Sequence, residues 1–326
     1  MKKTVFYISV ILGVLLLILT GFISYVKFGL PNVGPAPDIT IELTEEKIDR
    51  GRYLANHVML CMDCHAVRDF SLYAGPLKPG TKGAGGEVFD RDNMGLPGSF
   101  VAPNLTPAAL GDWTDGEIFR AITSGVSKDG TSLFPIMPYP NYSQLAEEDI
   151  HAVIAYLRTL EPIEYERPPS EYDFPVNILI NTMPVKPNLQ PKPKREDIID
   201  YGRYLVTAAA CADCHTRIEK GSFVGDMLAG GNEFKLPDGS IVRSANITPH
   251  ETGIGNWTKE QFITRFKVYA DTAYVPRRVE PGQFQTMMPW LMYAEMDEED
   301  LGAIYEYLRT VQPAENRIEL FSASQN

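Results

Sequence analysis

The stretch Cys61-Met62-Asp63-Cys64-His65 returns later in the chain as Cys211-Ala212-Asp213-Cys214-His215. C-x-x-C-H is the attachment pattern of covalently bound haem. Two thiols one helical turn apart can reach the vinyl groups on one edge of a porphyrin, and the next residue can then bind the iron from one face. The pattern predicts two covalently attached haem c groups. Their attachment residues would be Cys61, Cys64, Cys211 and Cys214, and their first iron ligands would be His65 and His215.

Two other uses of a C-x-x-C pair fit the surrounding sequence less well. A thioredoxin-like dithiol would follow a strand in a βαβ pattern, and neither copy has one around it. A zinc site built from both pairs would not require a histidine after each pair, and the pairs lie 150 residues apart. The chain has four cysteines, all within the two motifs, so none remains for a disulfide.

The amino terminus carries an uncharged apolar run from Val5 to Val26. As a helix this run would be about 33 Å long, enough to cross a bilayer core of roughly 30 Å. Lys2 and Lys3 precede it and favour an inside amino terminus. A cleaved signal peptide is the alternative, but the run is long for one and no A-x-A-like cleavage site follows. We expect a single-pass anchor, residues 1–27, in a bacterial cytoplasmic membrane, with the remainder periplasmic.

The composition suits a globular chain with an acidic surface. The formal net charge is −12 over 326 residues, which argues against binding to nucleic acid or to anionic lipid. An acidic surface permits steering toward a basic docking surface on a partner protein, and it equally fits a solvated face without a partner.

The chain contains a tandem repeat in addition to the two motifs. The recurring pieces keep their order, and we call residues 45–160 the first repeat and residues 198–312 the second repeat. The pairs are G-R-Y-L at 51–54 and 202–205, N-[LI]-T-P at 104–107 and 246–249, W-T at 113–114 and 257–258, [IM]-M-P at 136–138 and 287–289, and E-D-[IL] to Y-L-R-T at 148–159 and 299–310.

Each repeat is predicted to be helical. Thr44 is a candidate N-cap of the helix that leads to the first motif. Gly51 and Gly202 lie inside these first helices, where glycine is costly, and we expect them to mark close contact with an aromatic of the last helix, such as Tyr156 or Tyr307. An apolar stripe predicts each last helix, and 87–89 and 240–242 are candidate hairpin strands.

The remaining segments connect or follow the repeats. Residues 28–43 are expected to be a spacer, residues 162–196 a proline-rich connector wrapped on the surface, and residues 314–326 a loose polar tail. The predicted units between them are residues 44–161 and 197–313.

A second iron ligand on the far face would close the metal to other ligands and favour electron transfer. Met137 and Met288 lie at matching positions, each followed by proline and an aromatic residue. We predict that they bind the two irons, although Met287 and, less well, Met292 are rivals to Met288. Three other histidines lack a counterpart in the other copy and are expected to be surface residues: His57, His151 and His250.

Four matched polar residues are candidates for hydrogen bonds to haem propionates. Trp113 and Trp257 could donate their indole N–H groups. Asn104 and Asn246 could donate as well, or could form an Asx-turn before the proline. The sequence does not decide between these roles.

On these motifs the chain resembles the class I c-type cytochrome family twice, and more narrowly the membrane-anchored cytochrome c subunits of bacterial respiratory dehydrogenases. The resemblance implies an all-α fold with two tandem cytochrome c domains, His/Met ligation and electron transfer. Many such subunits carry three haems, whereas this chain has two motifs. The expected role is a dihaem relay from a dehydrogenase or quinol-oxidising complex to a terminal oxidase or soluble cytochrome, with no activity of its own.

Two other classes of protein remain to be tested. A dihaem peroxidase would need a five-coordinate or displaceable iron site and an acid/base group above it, and a methionine in both copies argues against that. A haem sensor would be expected to carry an output domain, which the sequence does not contain.

Overall fold

The computed structural model describes residues 2–324. Its first element is helix α1 (Lys2–Phe28), the one helix within those residues that is long and apolar enough to cross a membrane. The side chains of α1 are exposed except near its end, where Val26 is buried and its carbonyl accepts a hydrogen bond from Asn181 Nδ2 at 3.2 Å. The end of α1 therefore contacts the connector between the repeats.

The helices that follow alternate with long loops. In the first repeat they are α2 (Glu45–Tyr53), α3 (Cys61–Cys64), α4 (Arg91–Met94), α5 (Pro107–Leu110), α6 (Asp115–Ser124), α7 (Tyr139–Tyr142) and α8 (Glu147–Leu157). The connector contains α9 (Val176–Leu179) and a 3₁₀ turn (Ile180–Thr182). In the second repeat they are α10 (Ile198–Ala208), α11 (Cys211–His215), α12 (Lys259–Lys267), α13 (Trp290–Tyr293) and α14 (Glu298–Leu308).

In each repeat the first helix packs against the last, α2 on α8 and α10 on α14. A Cβ atom at Gly51 would collide with the Ala152 carbonyl oxygen, and one at Gly202 would collide with the Ala303 carbonyl oxygen. A Cβ atom at Gly51 would also lie 2.9 Å from the Cβ atom of Tyr156, and one at Gly202 would lie 2.9 Å from that of Tyr307, the two expected aromatic residues. The predicted close contact is confirmed in both repeats, and glycine is required because backbone meets backbone there.

The start of α2 also agrees with the sequence prediction. Thr44 is its N-cap, and the threonine Oγ1 accepts a hydrogen bond from the Lys47 N–H at 3.3 Å. A feature that was not predicted follows at the end of α2, where residues Leu54–Val58 form a π-helical turn closed by the Met59 N–H and the Leu54 carbonyl. The second repeat has an unbroken α-helix at this place.

Eight short strands form three small antiparallel sheets in the described residues. They are β1 (Val88–Asp90), β2 (Gly98–Val101) and β3 (Glu171–Tyr172) in order β1-β2-β3, β4 (Ile218–Glu219) and β5 (Ser222–Phe223) as a hairpin, and β6 (Glu233–Lys235), β7 (Ile241–Arg243) and β8 (Phe321–Ser322) in order β6-β7-β8. The prediction of an all-α chain is therefore not confirmed. The candidate hairpin strands at 87–89 and 240–242 are confirmed within one residue as β1 and β7, because the glycine-rich loops after each motif are long enough to fold back and pair.

The segments after each last helix have equivalent roles. Strand β3 of the connector pairs with β2, and strand β8 of the tail pairs with β7. Ala314 is buried, and its carbonyl accepts a hydrogen bond from Asn246 Nδ2 at 2.8 Å. The prediction of a loose tail was wrong for its described part, because residues 314–322 pack onto the second repeat as the connector packs onto the first.

Candidate haem sites

The two C-x-x-C-H motifs have nearly the same backbone. Each begins a short helix, α3 or α11, and each is preceded by a residue in the left-handed region, Leu60 with φ of 52° and Ala210 with φ of 50°. Such a conformation is uncommon for residues other than glycine and persists only where the surroundings impose it. This left-handed residue changes the chain direction between the preceding helix and the cysteine pair, and it does so in the same way in both copies.

Each motif histidine is held by a backbone carbonyl. His65 Nδ1 lies 2.6 Å from the Pro103 carbonyl oxygen, and His215 Nδ1 lies 2.7 Å from that of Ala245. Because a carbonyl can only accept, Nδ1 carries the proton and Nε2 keeps its lone pair. Burial lowers the pKa of His65 to about 4 and lowers that of His215 as well. Both imidazoles are therefore neutral and preorganised for a metal bond through Nε2, an orientation typical of metal-bound histidine.

The chemistry of the four cysteines disfavours the alternative uses. All four are unpaired, and burial raises the pKa of Cys61 to about 12. A redox dithiol needs a lowered thiol pKa, so this environment does not fit one. Residues 2–324 contain no cluster of three or more histidine, cysteine or acidic side chains that could hold a metal ion, so no zinc site is assembled either.

A single cavity of about 3140 Å³ runs along both motifs. Ligand pockets for drug-sized molecules measure roughly 300–1,000 Å³, so this space suits more than one large flat cofactor. Both histidines and all four cysteines line it, and so do Met137 and Met288. The residues present fit haem c: thiols for attachment, a neutral imidazole for the iron, and a thioether in the same cavity.

The two methionines have the same local geometry. The Met137 carbonyl accepts a hydrogen bond from the Tyr139 N–H at 2.7 Å, and the Met288 carbonyl accepts one from the Trp290 N–H at 2.8 Å. Of the rivals, Met287 also lines the cavity, whereas Met292 does not. The other three histidines, His57, His151 and His250, lie outside the cavity lining.

The two asparagines form the Asx-turn that was one of their possible roles. The side-chain oxygen of Asn104 accepts from the Thr106 N–H at 2.8 Å, and its amide donates to the Ile163 carbonyl at 2.7 Å. Asn246 makes the same turn with Thr248. Trp113 and Trp257 both line the cavity, so their role as propionate donors stays a prediction.

Sequence reasoning missed two tyrosines, one in each repeat. Each connects the loop that contains the predicted methionine ligand, here called the methionine loop, to the C-x-x-C-H motif of the same repeat. Tyr142 donates its hydroxyl to the Met59 carbonyl at 2.9 Å, and Tyr293 donates to the Ala209 carbonyl at 3.0 Å. Each accepting residue lies two positions before the first motif cysteine. The signal was present in the sequence, because a tyrosine follows each predicted methionine ligand by five residues.

The first motif also has a buried arginine with no counterpart in the second. Arg68 forms an ion pair with Asp63 at 3.0 Å and donates to the carbonyls of Gly75 and Ala74. Asp213, the equivalent of Asp63, instead accepts from Asn141 Nδ2 of the first repeat at 2.9 Å. This contact joins the methionine loop of one repeat to the motif of the other.

Comparison with known proteins gives the class of this site. Residues 199–312 match the family model of cytochrome c, so the second repeat is a cytochrome c domain, and this family binds haem c covalently. The chain as a whole is similar to cytochrome c subunits of bacterial dehydrogenases.

Three relatives illustrate that similarity. The cytochrome subunit of fructose dehydrogenase from Gluconobacter japonicus is 28% identical over 280 residues, covering 81% of this chain and 52% of the relative. The cytochrome c subunit of alcohol dehydrogenase (quinone) from Gluconacetobacter polyoxogenes is 26% identical over 285 residues, covering 82% and 56%. A diheme cytochrome c-type protein from Cereibacter sphaeroides is 28% identical over 273 residues, covering 78% and 83%. The chain spans about half the length of the two dehydrogenase subunits.

Proposed function

We propose that this chain is a membrane-anchored dihaem cytochrome c that relays single electrons in a periplasmic respiratory chain. The observation that carries the proposal is the repeated set of a C-x-x-C-H motif, a histidine held through Nδ1, and a methionine facing the same cavity. When bound, haem supplies a reversible one-electron couple at its iron. The protein makes no bond of its own in this role.

The proposed ligand sets are His65 with Met137 and His215 with Met288. A thioether is a soft, neutral ligand that raises the reduction potential. The neutral histidines supply the other bond, with Pro103 and Ala245 fixing their ring orientation. Two closed iron sites would leave electron transfer as the chemistry available.

The proposed organisation is two tandem cytochrome c domains, residues 44–161 and 197–313, each with one haem c. Supporting it are the equivalent helix pairs of the two repeats and their matching motif backbones. The connector and the tail each add one strand to the repeat that precedes them, so the functional boundaries extend beyond the last helices.

The proposed partners are redox proteins. Three relatives are named as subunits of fructose, alcohol and gluconate dehydrogenases, so a membrane dehydrogenase is the favoured donor, with a quinol-oxidising complex as the other. The acceptor would be a terminal oxidase or a soluble cytochrome.

The proposed location is the periplasmic face of the cytoplasmic membrane, with α1 retained as an anchor. The burial of Val26 and the hydrogen bond to its carbonyl support retention, because a cleaved segment would have no need of contacts with the mature chain. The lysines at positions 2 and 3 support the orientation.

The proposal is tested on the chain purified from membranes in detergent. Two haems per chain and two low-spin ferric signals by EPR are expected, together with reduction of both haems when the native membranes oxidise a dehydrogenase substrate. One haem per chain, or a persistent high-spin haem that consumes peroxide, would contradict the relay and favour a peroxidase.

A further inference from the structure

The tyrosine of each G-R-Y-L stretch bonds to the opposite repeat. Tyr53 donates its hydroxyl to Asp300 Oδ2 at 2.8 Å and accepts a hydrogen bond from the Asp297 N–H at 3.1 Å. Tyr53 belongs to α2 of the first repeat, whereas both partners belong to the start of α14 in the second. The first repeat therefore contacts the amino terminus of the last helix of its neighbour.

Tyr204 makes the reciprocal pair of contacts. Its hydroxyl donates to Asp149 Oδ2 at 2.7 Å and accepts from the Ala146 N–H at 3.3 Å. Each of these three residues lies 151 positions before or after its counterpart in the first set. The contact is thus isologous, as in a two-fold dimer, although both halves belong to one chain.

These contacts complete a helix cap. Ala146 and Asp297 are the N-cap residues of α8 and α14, and neither provides a side-chain cap. In an ordinary capping box the third helical residue reaches back to the N-cap N–H, as Glu117 does in α6 with Thr114. In α8 and α14 the third residue is an aspartate. A tyrosine hydroxyl from the other repeat lies between the aspartate carboxylate and the N-cap N–H and hydrogen-bonds to both.

The two aspartates are buried, so their partners matter. Asp149 is 1% exposed and accepts from Arg50 Nε at 2.9 Å and Nη2 at 2.7 Å. Asp300 has no exposed surface and accepts from the Tyr201 hydroxyl at 3.1 Å. A buried carboxylate that loses one donor keeps the cost of its desolvation, so each pair resists separation of the repeats.

The bridging tyrosines are connected directly to the haem sites. Tyr53 ends α2, which continues through the π-helical turn to Cys61, and Tyr204 lies in α10, which leads to Cys211. Both motifs line one cavity, and Asn141 of the first repeat donates to Asp213 of the second motif. A shift between the repeats would therefore change the separation of the two sites.

We propose that Tyr53 and Tyr204 are positioning residues for electron transfer between the two haem sites. Their reciprocal capping bridges hold the two motif-bearing helices in one relative placement, so that the sites keep a single separation while electrons pass. This inference rests on the dihaem function proposed above.

The test uses the full holoprotein with the double substitution Tyr53→Phe and Tyr204→Phe, which removes both hydroxyls and keeps both rings. Tyr156→Phe is the matched control, because its buried hydroxyl accepts from Asn56 Nδ2 at 3.1 Å within the first repeat. Pulsed dipolar EPR measures the distribution of distances between the two ferric irons, and flash reduction measures the rate of intramolecular electron transfer.

We expect one narrow distance distribution in the wild type and in Tyr156→Phe. In the double variant we expect a broader distribution and slower internal transfer, even though each haem keeps its own spectrum. A merely structural hydroxyl would lower the melting temperature without changing either readout. Unchanged distance distribution and rate in the double variant would overturn the proposal.

Two single variants keep the test decisive if the double variant does not assemble. Tyr53→Phe and Tyr204→Phe should each broaden the distribution, because each removes one of two equivalent bridges. If neither single variant differs from Tyr156→Phe, the proposal fails. Failure of the dihaem function would be seen separately, as a missing haem or a missing low-spin signal in the wild type.

Discussion

The two repeats share the framework of their candidate haem sites and differ in the residues that surround it. Both have a glycine-backed helix pair, a left-handed residue before the motif, a carbonyl that holds the histidine, and a tyrosine that connects the methionine loop to the motif. These are the parts that would fix the geometry of the proposed iron ligands. The differences lie in residues that surround this framework, where they can change the properties of one site without altering the other.

The clearest difference in backbone is one extra residue in the first repeat. Ten positions separate Gly51 from Cys61, but nine separate Gly202 from Cys211. The structure absorbs the insertion as the π-helical turn Leu54–Val58, a feature that often marks functional sites. This turn contacts α13 of the second repeat, where His57 Nδ1 lies 3.1 Å from the Met292 carbonyl. The insertion thus adds a contact between repeats and leaves the motif intact.

The two motifs also differ in the contacts that the opposite repeat makes with them. A loop of the second repeat covers the loop after the first motif: the Tyr73 N–H donates to the Arg277 carbonyl at 2.8 Å, and the Ala74 N–H donates to Gln285 Oε1 at 2.9 Å. Around the second motif the first repeat makes other contacts, because α4 packs against β6 and Asn141 donates to Asp213. The opposite repeat therefore contacts the two motif regions through different residues.

The largest effect expected from breaking the shared framework is at the helix crossing. Gly51→Ala and Gly202→Ala should each cost about 3 kcal/mol or prevent folding, because the added methyl meets a backbone carbonyl that cannot move aside. Gly302→Ala is the control, since its Cβ would meet the flexible end of Lys259 and make an ordinary contact with Ile263, and alanine favours a helix by about 1 kcal/mol. Thermal unfolding of the three variants checks this, and equal stability of all three would contradict it.

The next effect concerns a charge that only the first repeat carries. Burial raises the pKa of Glu87 to about 6 from an ordinary value of 4.5, whereas the equivalent position in the second repeat is Asn232. The raised pKa means that folding favours the protonated acid, so this contribution to stability is present below pH 4.5 and is lost as the pH rises through 6. The loss should reach about 2 kcal/mol above that pH.

Glu87→Asn makes the first repeat resemble the second and should remove this pH dependence. Denaturant unfolding between pH 4 and pH 8 measures it, with the exposed Glu219→Gln as control. The charge of Glu87 also acts on Cys64, so the midpoint potential of one haem should depend on pH near 6 in the wild type. A variant whose pH profile overlays the wild type would exclude this role.

The smallest effect expected is that of the tyrosines that connect each methionine loop to its motif. Tyr142→Phe and Tyr293→Phe each remove one hydrogen bond to a carbonyl and should cost about 1 kcal/mol. The two hydrogen bonds share no partner, but Tyr142 and Tyr293 are close enough to interact, so the departure of the double variant from the sum of the two costs measures their coupling. Unequal costs would indicate that the repeats differ in this framework as well.

Much of this arrangement could be predicted from the sequence because it depends on short sequence patterns that occur in both repeats. The motifs, the helix-crossing glycines and Thr44 were all identified, since each depends on local chemistry or on the identity of one residue. The sequence left two roles open for Asn104 and Asn246, because an Asx-turn and a ligand contact use the same side chain.

What could not be predicted depends on contacts between distant parts of the chain. Strands β3 and β8 are two residues long and form by pairing with the edges of β2 and β7. Two residues are too few to show the alternating hydrophobic pattern that predicts a strand. The bridges of Tyr53 and Tyr204 join residues more than fifty positions apart across the two repeats. The π-helical turn was readable from the spacing of Gly51 and Cys61 against the second copy, and it was missed.

The central claim is that each iron has its own methionine, and potentiometric titration of haem absorbance in Met137→Ala and Met288→Ala tests it most directly. Because a thioether raises the potential, each substitution should lower the midpoint of one haem and leave the other unchanged, with Met292→Ala as an unaffected control. If both midpoints stay at their wild-type values in Met137→Ala and Met288→Ala, the ligand assignment and the relay built on it are contradicted.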